Sequence, residues 1–163
     1  MDNYDFVTGL RAIRSYRHEP LSAADLAAIL EAARWTGSAK NRQDWAFVVV
    51  QGEQQLGRLA ACGGFTQPVR DSAATIAIVE EPGGYEFDSG RVAQNIMLGA
   101  AAIGVASCPI TLHRDNDAAR VLELPEGCRC RYAIALGYAT DDAAPARFGG
   151  RKPLDELVHW EKY

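Results

Sequence analysis

Three short stretches of this sequence gather side chains that could hold an anion or read the edge of a flat, polar ring. Near the N-terminus, "GLRAIRSYRHEP" sets Arg11 and Arg14 three residues apart. If the stretch is helical, both guanidiniums share a face and could converge on a phosphate, although the same spacing also suits a solvated basic face. In "WTGSAKNRQDW", Ser38, Asn41 and Gln43 collect amide donors and carbonyl acceptors just ahead of the apolar run "AFVVV". A planar heterocycle with alternating donors and acceptors needs such a set. A loop that satisfies its own backbone uses the same residues. The flanking Trp35 and Trp45 read as packing groups, and Asp44 has no evident part. Near the C-terminus, Arg151 and Lys152 follow Gly149 and Gly150, which puts cations on a loop supple enough to close over an anion.

Other chemistries lack their signatures. No G-x-G-x-x-G or G-x-x-x-x-G-K-[ST] follows a strand-like run, and no Ser stands in G-x-S-x-G. His18, His113 and His159 lie far apart, and Cys128-x-Cys130 has no second Cys/His pair at ligand spacing, so no metal is expected. A formal charge of -4 with scattered basic residues argues against nucleic acid and leaves a small molecule or a second copy as the expected partner. The four cysteines read as reduced thiols, and "MDNYDF" lacks the features of a signal peptide, so a cytoplasmic location is expected. From Val92 to His113 no charged residue appears, but Gln94, Asn95 and Pro109 make a buried helix and strand a better reading than a membrane span.

These residues need a scaffold, and 163 residues that are 48% hydrophobic suffice for one domain spanning 1–163. "SAADLAAILEAAR" (22–34) predicts an amphipathic helix capped by Ser22, with Asp25 at the capping-box position and Gly37 as a stop. "AFVVV" (46–50) and "TIAIVE" (75–80) predict strands buried on both faces, with a short helix over "EQQLGRLAA" between them. A long central helix with almost no solvent face is predicted from Ser89 to Ile103. A strand over "ASCPITL" follows, then an Asp-capped helix over "DNDAARVLEL" ending at Pro125, then a strand over 131–139. Helices alternating with isolated strands give an α+β layered domain around a small sheet. The tail, 148–163, carries Leu154, Leu157, Val158 and Trp160, and is expected to pack on something, such as a second subunit.

Taken in order, "LRAIRSY", "SAKNRQDWAFVVV", "DSGRVAQNIMLGAAAIGVASCPI", "ALGYA" and "GGRKPLDELVHWEKY" resemble the nitroreductase family of FMN-dependent oxidoreductases. The resemblance implies a three-layer α/β/α fold with a small, mostly antiparallel sheet, and a homodimer with the long helix at its interface. It implies FMN in a groove between subunits, with NAD(P)H as cosubstrate and a nitro, quinone or enone-like acceptor. Arg11, Arg14, Arg151 and Lys152 would meet the phosphate; Ser38, Asn41 and Gln43 would meet the isoalloxazine and ribityl chain. No protein side chain is expected to act as a catalytic nucleophile or base. Leu10 and Ala12 stand where the family has an Arg and a Ser, which predicts lowered FMN affinity, and Gly37 and Asp44 replace two prolines. The short stretches 62–72 and 81–89 predict an open, shallow pocket. A flavin-dependent dehydrogenase or oxidase of a natural-product pathway, or a non-catalytic flavin-binding dimeric module, would present the same residues.

Overall fold

Large and small side chains alternate along "TIAIV" and "AIAL", and in the computed structural model, which describes residues 2–146 and 150–163, this alternation sorts two cores. The helices are α1 (Asn3–Gly9), α2 (Ala23–Arg34), α3 (Glu53–Ala60), α4 (Gln67–Asp71), α5 (Glu86–Ala102) and α6 (Asp115–Val121). The strands are β1 (Trp45–Val50), β2 (Ala74–Glu80), β3 (Ala106–Thr111) and β4 (Arg129–Gly137). They form one sheet in the order β1-β2-β4-β3, with each pair of neighbours antiparallel. Successive strand residues face opposite sides. Ile76, Ile78, Ile134 and Leu136 therefore meet Ile29, Ala33, Val92, Ile96 and Ala100 of α2 and α5. Ala77, Ala133 and Ala135 meet Leu56, Leu59, Val69 and Ala118 of α3, α4 and α6. Helical layers on both faces of a small antiparallel sheet give the expected three-layer α/β/α arrangement.

Several local expectations change. β1 is an edge strand and only half-buried over most of its length, because antiparallel pairing with β2 leaves its other edge open. β2 is the strand buried on both faces. Ser22 Oγ accepts from Asp25 N at 3.0 Å as a cap should, but Asp25 does not close the capping box itself. Its carboxylate accepts from the Tyr138 hydroxyl at 2.5 Å, and that hydroxyl oxygen accepts in turn from Ser22 N at 3.3 Å. That hydroxyl, then Ser22, holds the Asp25 carboxyl below its ordinary value. α2 ends at Arg34, capped by Trp35, before Gly37 is reached.

α5 begins three residues earlier than Ser89, since Glu86 and Asp88 suit the positive end of its dipole. It also keeps an accessible stripe through Gly90, Gln94 and Ala102, with Leu98 and Ala101 half-buried beside it. α6 is not capped by an Asp: Arg114 occupies the N-cap without a side-chain bond, and the helix stops at Val121, short of Pro125. The helix supposed for Arg11 and Arg14 is absent, because α1 ends at Gly9 and residues 10–15 are non-helical. No residue of α1 is buried. The described part of the tail, 150–163, is exposed throughout, with Leu154 at 74% and Trp160 at 86% of full exposure, and it does not pack on its own chain. Phe148 and Gly149 lie outside the described residues. Among those described, no helix is long and apolar enough to cross a membrane.

Candidate functional site

The segment between α2 and β1 is held in a conformation that its residues disfavour. Lys40, Asn41 and Gln43 have φ of 54°, 53° and 55°, three left-handed non-glycine residues within four positions. Each such residue costs about 1–3 kcal/mol and persists only where its surroundings impose it. Ser38 Oγ accepts from Gln43 N at 2.9 Å, and a 3-10 turn over Ala39–Asn41 adds Asn41 N to Ser38 O at 3.0 Å and Arg42 N to Ala39 O at 3.2 Å. The Ser38 hydroxyl thus satisfies the loop's own backbone. Asn41 and Gln43 do not: both are exposed, and among the described residues the Asn41 amide has no partner, while Gln43 Nε2 makes one long contact, 3.4 Å, to Asn41 O. Two amides are left free to serve a polar ring edge, which suits the donor and acceptor pattern of a flavin.

Two arginines that the sequence did not single out fasten this loop to the start of α5. Arg42 donates to Gly83 O at 2.8 Å, pairs with Asp44 at 2.9 Å and lies over the Tyr85 ring at 4.9 Å. Arg91 donates to Gly37 O at 2.5 Å, meets Asp88 at 3.5 Å and lies 6.0 Å from the Phe87 ring centre. Asp44 therefore has a part after all: it neutralises Arg42, and its carbonyl accepts from Glu81 N at 3.2 Å. Between the two segments lies an open cavity of about 540 Å³ lined by Ser38, Ala39, Tyr85, Phe87, Asp88 and Arg91. Its walls include two exposed aromatic rings, Tyr85 and Phe87.

Trp45 packs on the core, but Trp35 does not. It is 73% exposed, with its indole N–H given to Glu31 Oε1 at 2.7 Å and the Arg34 guanidinium 5.1 Å above its ring. Arg34 bonds both Glu31 oxygens, at 2.8 and 2.6 Å, and Arg34 first, then Trp35, lowers the Glu31 carboxyl to about 2. A satisfied N–H removes the need to bury the indole.

The remaining candidates lie elsewhere. Arg11 Nη1 donates to Thr8 O and Leu10 O, both at 2.8 Å, so its guanidinium closes the end of α1. Arg14 is exposed, and its charge acts on Tyr16 and Cys108. Burial first, then Cys108, raises the Tyr16 hydroxyl, which donates to Ile13 O at 2.8 Å; Arg14 acts in the opposite sense. Ile13 N bonds Ser107 O at the start of β3, in the row that contains Leu136 and Ala74. Gln43 leads into Trp45, in the row of Glu80 and Arg129. β1 and β3 are opposite edges of the sheet, so the two segments occupy diagonally opposed corners, about 20 Å apart along the strands and about 14 Å across them. Arg151 and Lys152 sit in the exposed tail, where, among the described residues, Arg151 Nη1 donates to Gly150 O at 3.2 Å. Within one chain, Ser38, Asn41 and Gln43 come together, and the cations do not join them.

A larger groove of about 1260 Å³ runs past Tyr16–Pro20, Gln51 and Arg70–Ala73. None of the seven candidates lines it, and Arg17, Arg58 and Arg70 there alternate with Glu19, Glu53 and Asp71, so no ligand charge is selected.

The Nitroreductase family model matches residues 7–82 and 71–138. A protein of Archaeoglobus fulgidus, provisionally named NADH dehydrogenase/NAD(P)H nitroreductase, is 27% identical over 168 residues, covering 94% of each chain. Among solved structures, an FMN-dependent nitroreductase from Clostridium difficile superposes with a TM-score of 0.86 at 22% identity, over 98% of this chain and 99% of that one. The NADPH:FMN oxidoreductase of Vibrio harveyi, solved with NAD+, gives 0.86 at 21% identity over 98% of this chain and 77% of that one. At these identities the structural likeness is one of fold.

Proposed function

This chain belongs to the nitroreductase family and is an oxidoreductase enzyme, and from that premise we propose that it binds FMN between two copies of itself and carries reducing equivalents from NAD(P)H to a small nitro, quinone or enone-like acceptor. The observation that carries the reading is the loop 38–43, where three strained residues are held against α5 with two free amides beside an aromatic-walled cavity. Strain of this kind persists where it serves a site. When bound, FMN supplies the two-electron chemistry. Asn41 and Gln43 bind and orient the ring edge, and Ser38 keeps their backbone in place. Tyr85 and Phe87 flank the acceptor. Arg11, Arg14, Arg151 and Lys152 provide positive charge toward the phosphate.

Two copies are invoked because the loop and the segment with Arg11 and Arg14 stand at opposed corners of one sheet, so a second chain is needed to bring a loop to those cations. Unburied α1, the accessible stripe of α5 and the apolar tail are surfaces such a homodimer would cover. The described relatives include one named for FMN dependence and one for NADPH and FMN. The four free thiols, Cys62, Cys108, Cys128 and Cys130, suit a reducing compartment such as the cytoplasm.

The test is reconstitution. The purified chain titrated with FMN should turn yellow, behave as a dimer by light scattering, and bleach when NADH or NADPH is added under nitrogen. Asn41→Ala combined with Gln43→Ala should weaken flavin binding by at least about tenfold, the loss of two modest hydrogen bonds of about 1 kcal/mol each. A chain that stays colourless with FMN would sink the proposal, and a double variant with unchanged affinity would sink the role given to the loop.

A further inference from the structure

We propose that this protein holds its flavin by the ring and ribityl chain and gains little from the phosphate, so that riboflavin binds nearly as well as FMN; the inference rests on the flavin reading above. A phosphate is gripped when several donors converge on its oxygens in fixed geometry. The cations available here do not converge. The helix that would have put Arg11 and Arg14 on one face ends at Gly9, and Arg11 is committed to the carbonyls of Thr8 and Leu10. Arg14 is exposed, on a segment that is non-helical from residue 10 to 15.

The positions between them add nothing for an anion. Leu10 packs against the α2/α5 core and Ala12 against the α3/α4/α6 core, so the segment crosses the open edge of β3 with apolar side chains turned inward on both faces of the sheet. Arg151 and Lys152 are exposed, on a tail that is itself exposed over all its described residues, 150–163. Within one chain all four cations are exposed. Their attraction for a phosphate dianion is long-range and is screened by salt, whereas the amides of Asn41 and Gln43 and the Tyr85–Phe87 cavity address parts that FMN and riboflavin share.

The inference is tested by fluorescence titration of the whole chain, freed of any flavin, with FMN and with riboflavin at ionic strengths of about 0.01 M and about 1 M. The expected result is dissociation constants within about tenfold of one another at low salt, equivalent to about 1.4 kcal/mol, and converging at high salt. Arg14→Ala should change the FMN constant by no more than about fivefold, the range of an exposed ion pair, and a loss of more than about 100-fold would overturn the inference. FMN binding more than about 100-fold tighter than riboflavin at high salt would overturn the inference and leave the flavin reading intact, since a gripped phosphate survives screening. Binding of neither flavin would overturn both.

Discussion

Ser38→Ala isolates the tension in the 38–43 loop. The loop carries three left-handed residues at about 1–3 kcal/mol each. Opposing them are the bonds of Gln43 N to Ser38 Oγ, Asn41 N to Ser38 O, Arg42 N to Ala39 O, Arg42 to Gly83 O and Asp44, and Arg91 to Gly37 O. At about 1 kcal/mol apiece these bonds are comparable to the strain, so the loop is only marginally closed. Removing the Ser38 hydroxyl deletes one of them, and the Gln43 amide returns to water when the loop opens. The loop equilibrium should move by about 1 kcal/mol toward open forms, a factor of about five. Global unfolding should hardly change, since the loop is exposed and none of Ala39–Asn41 is buried. Hydrogen exchange at the Gln43 amide should accelerate about fivefold and the flavin dissociation constant should rise by a similar factor, with Tm lowered by no more than roughly 2–4 °C. An unchanged exchange rate at Gln43, or a fall in Tm with flavin affinity intact, would refute the reasoning, because either outcome means that the hydroxyl does not hold the strained conformation.

Gly137→Ala should destabilise the junction of β4 with the N-terminal segment. A Cβ there would stand 2.8 Å from Tyr16 Cβ and Cγ, and Tyr16 is fixed by burial and by its hydroxyl bonds, so overpacking of about 1–3 kcal/mol should appear as a lower Tm in thermal denaturation. NMR titration should find the Glu31 carboxyl ionised down to about pH 2, and Arg34→Ala should raise it toward the ordinary 4.5, incompletely because the Trp35 indole still donates. A lowered native value means that this carboxylate's contribution to stability is present above 4.5 and is lost as pH falls toward 2, so wild type and Arg34→Ala should respond differently to acid only over that window. Thiol alkylation of the native protein should modify one cysteine quickly, Cys128. Cys62, Cys108 and Cys130 are buried, and burial raises each of their thiols, Cys130 to about 12. Rapid labelling of any of these three would contradict the packing around β3 and β4.

The layers were legible because they depend on local periods. Alternating Ile and Ala in β2 and β4 name the two faces, and the i, i+3, i+4 spacing of Leu26, Ile29, Leu30 and Ala33 names the inner side of α2. The same local logic found Ser38, Asn41 and Gln43, since a cluster of amides before an apolar run is unusual whatever the fold. It could not find Arg42 and Arg91, whose partners Gly83 and Gly37 lie 41 and 54 residues away in the chain. No spacing within a single segment encodes a contact of that kind. The left-handed Lys40 and Gln43 were equally invisible, because neither residue type favours that conformation and only the closed loop imposes it.

Arg11 and Arg14 show why spacing alone misleads. Three residues mean a shared face only on a helix, so the argument was conditional on a helix that in fact ends at Gly9. The consequence reaches beyond two side chains. Strand order β1-β2-β4-β3 sends the first and third strands to opposite edges; the 38–43 loop leads into β1, and the segment with Arg11 and Arg14 bonds β3 through Ile13 N and Ser107 O. A chain folded in this order has its polar ring-edge loop and its N-terminal cations at opposed corners. On the proposed function, it is a second copy that would join them around one small molecule.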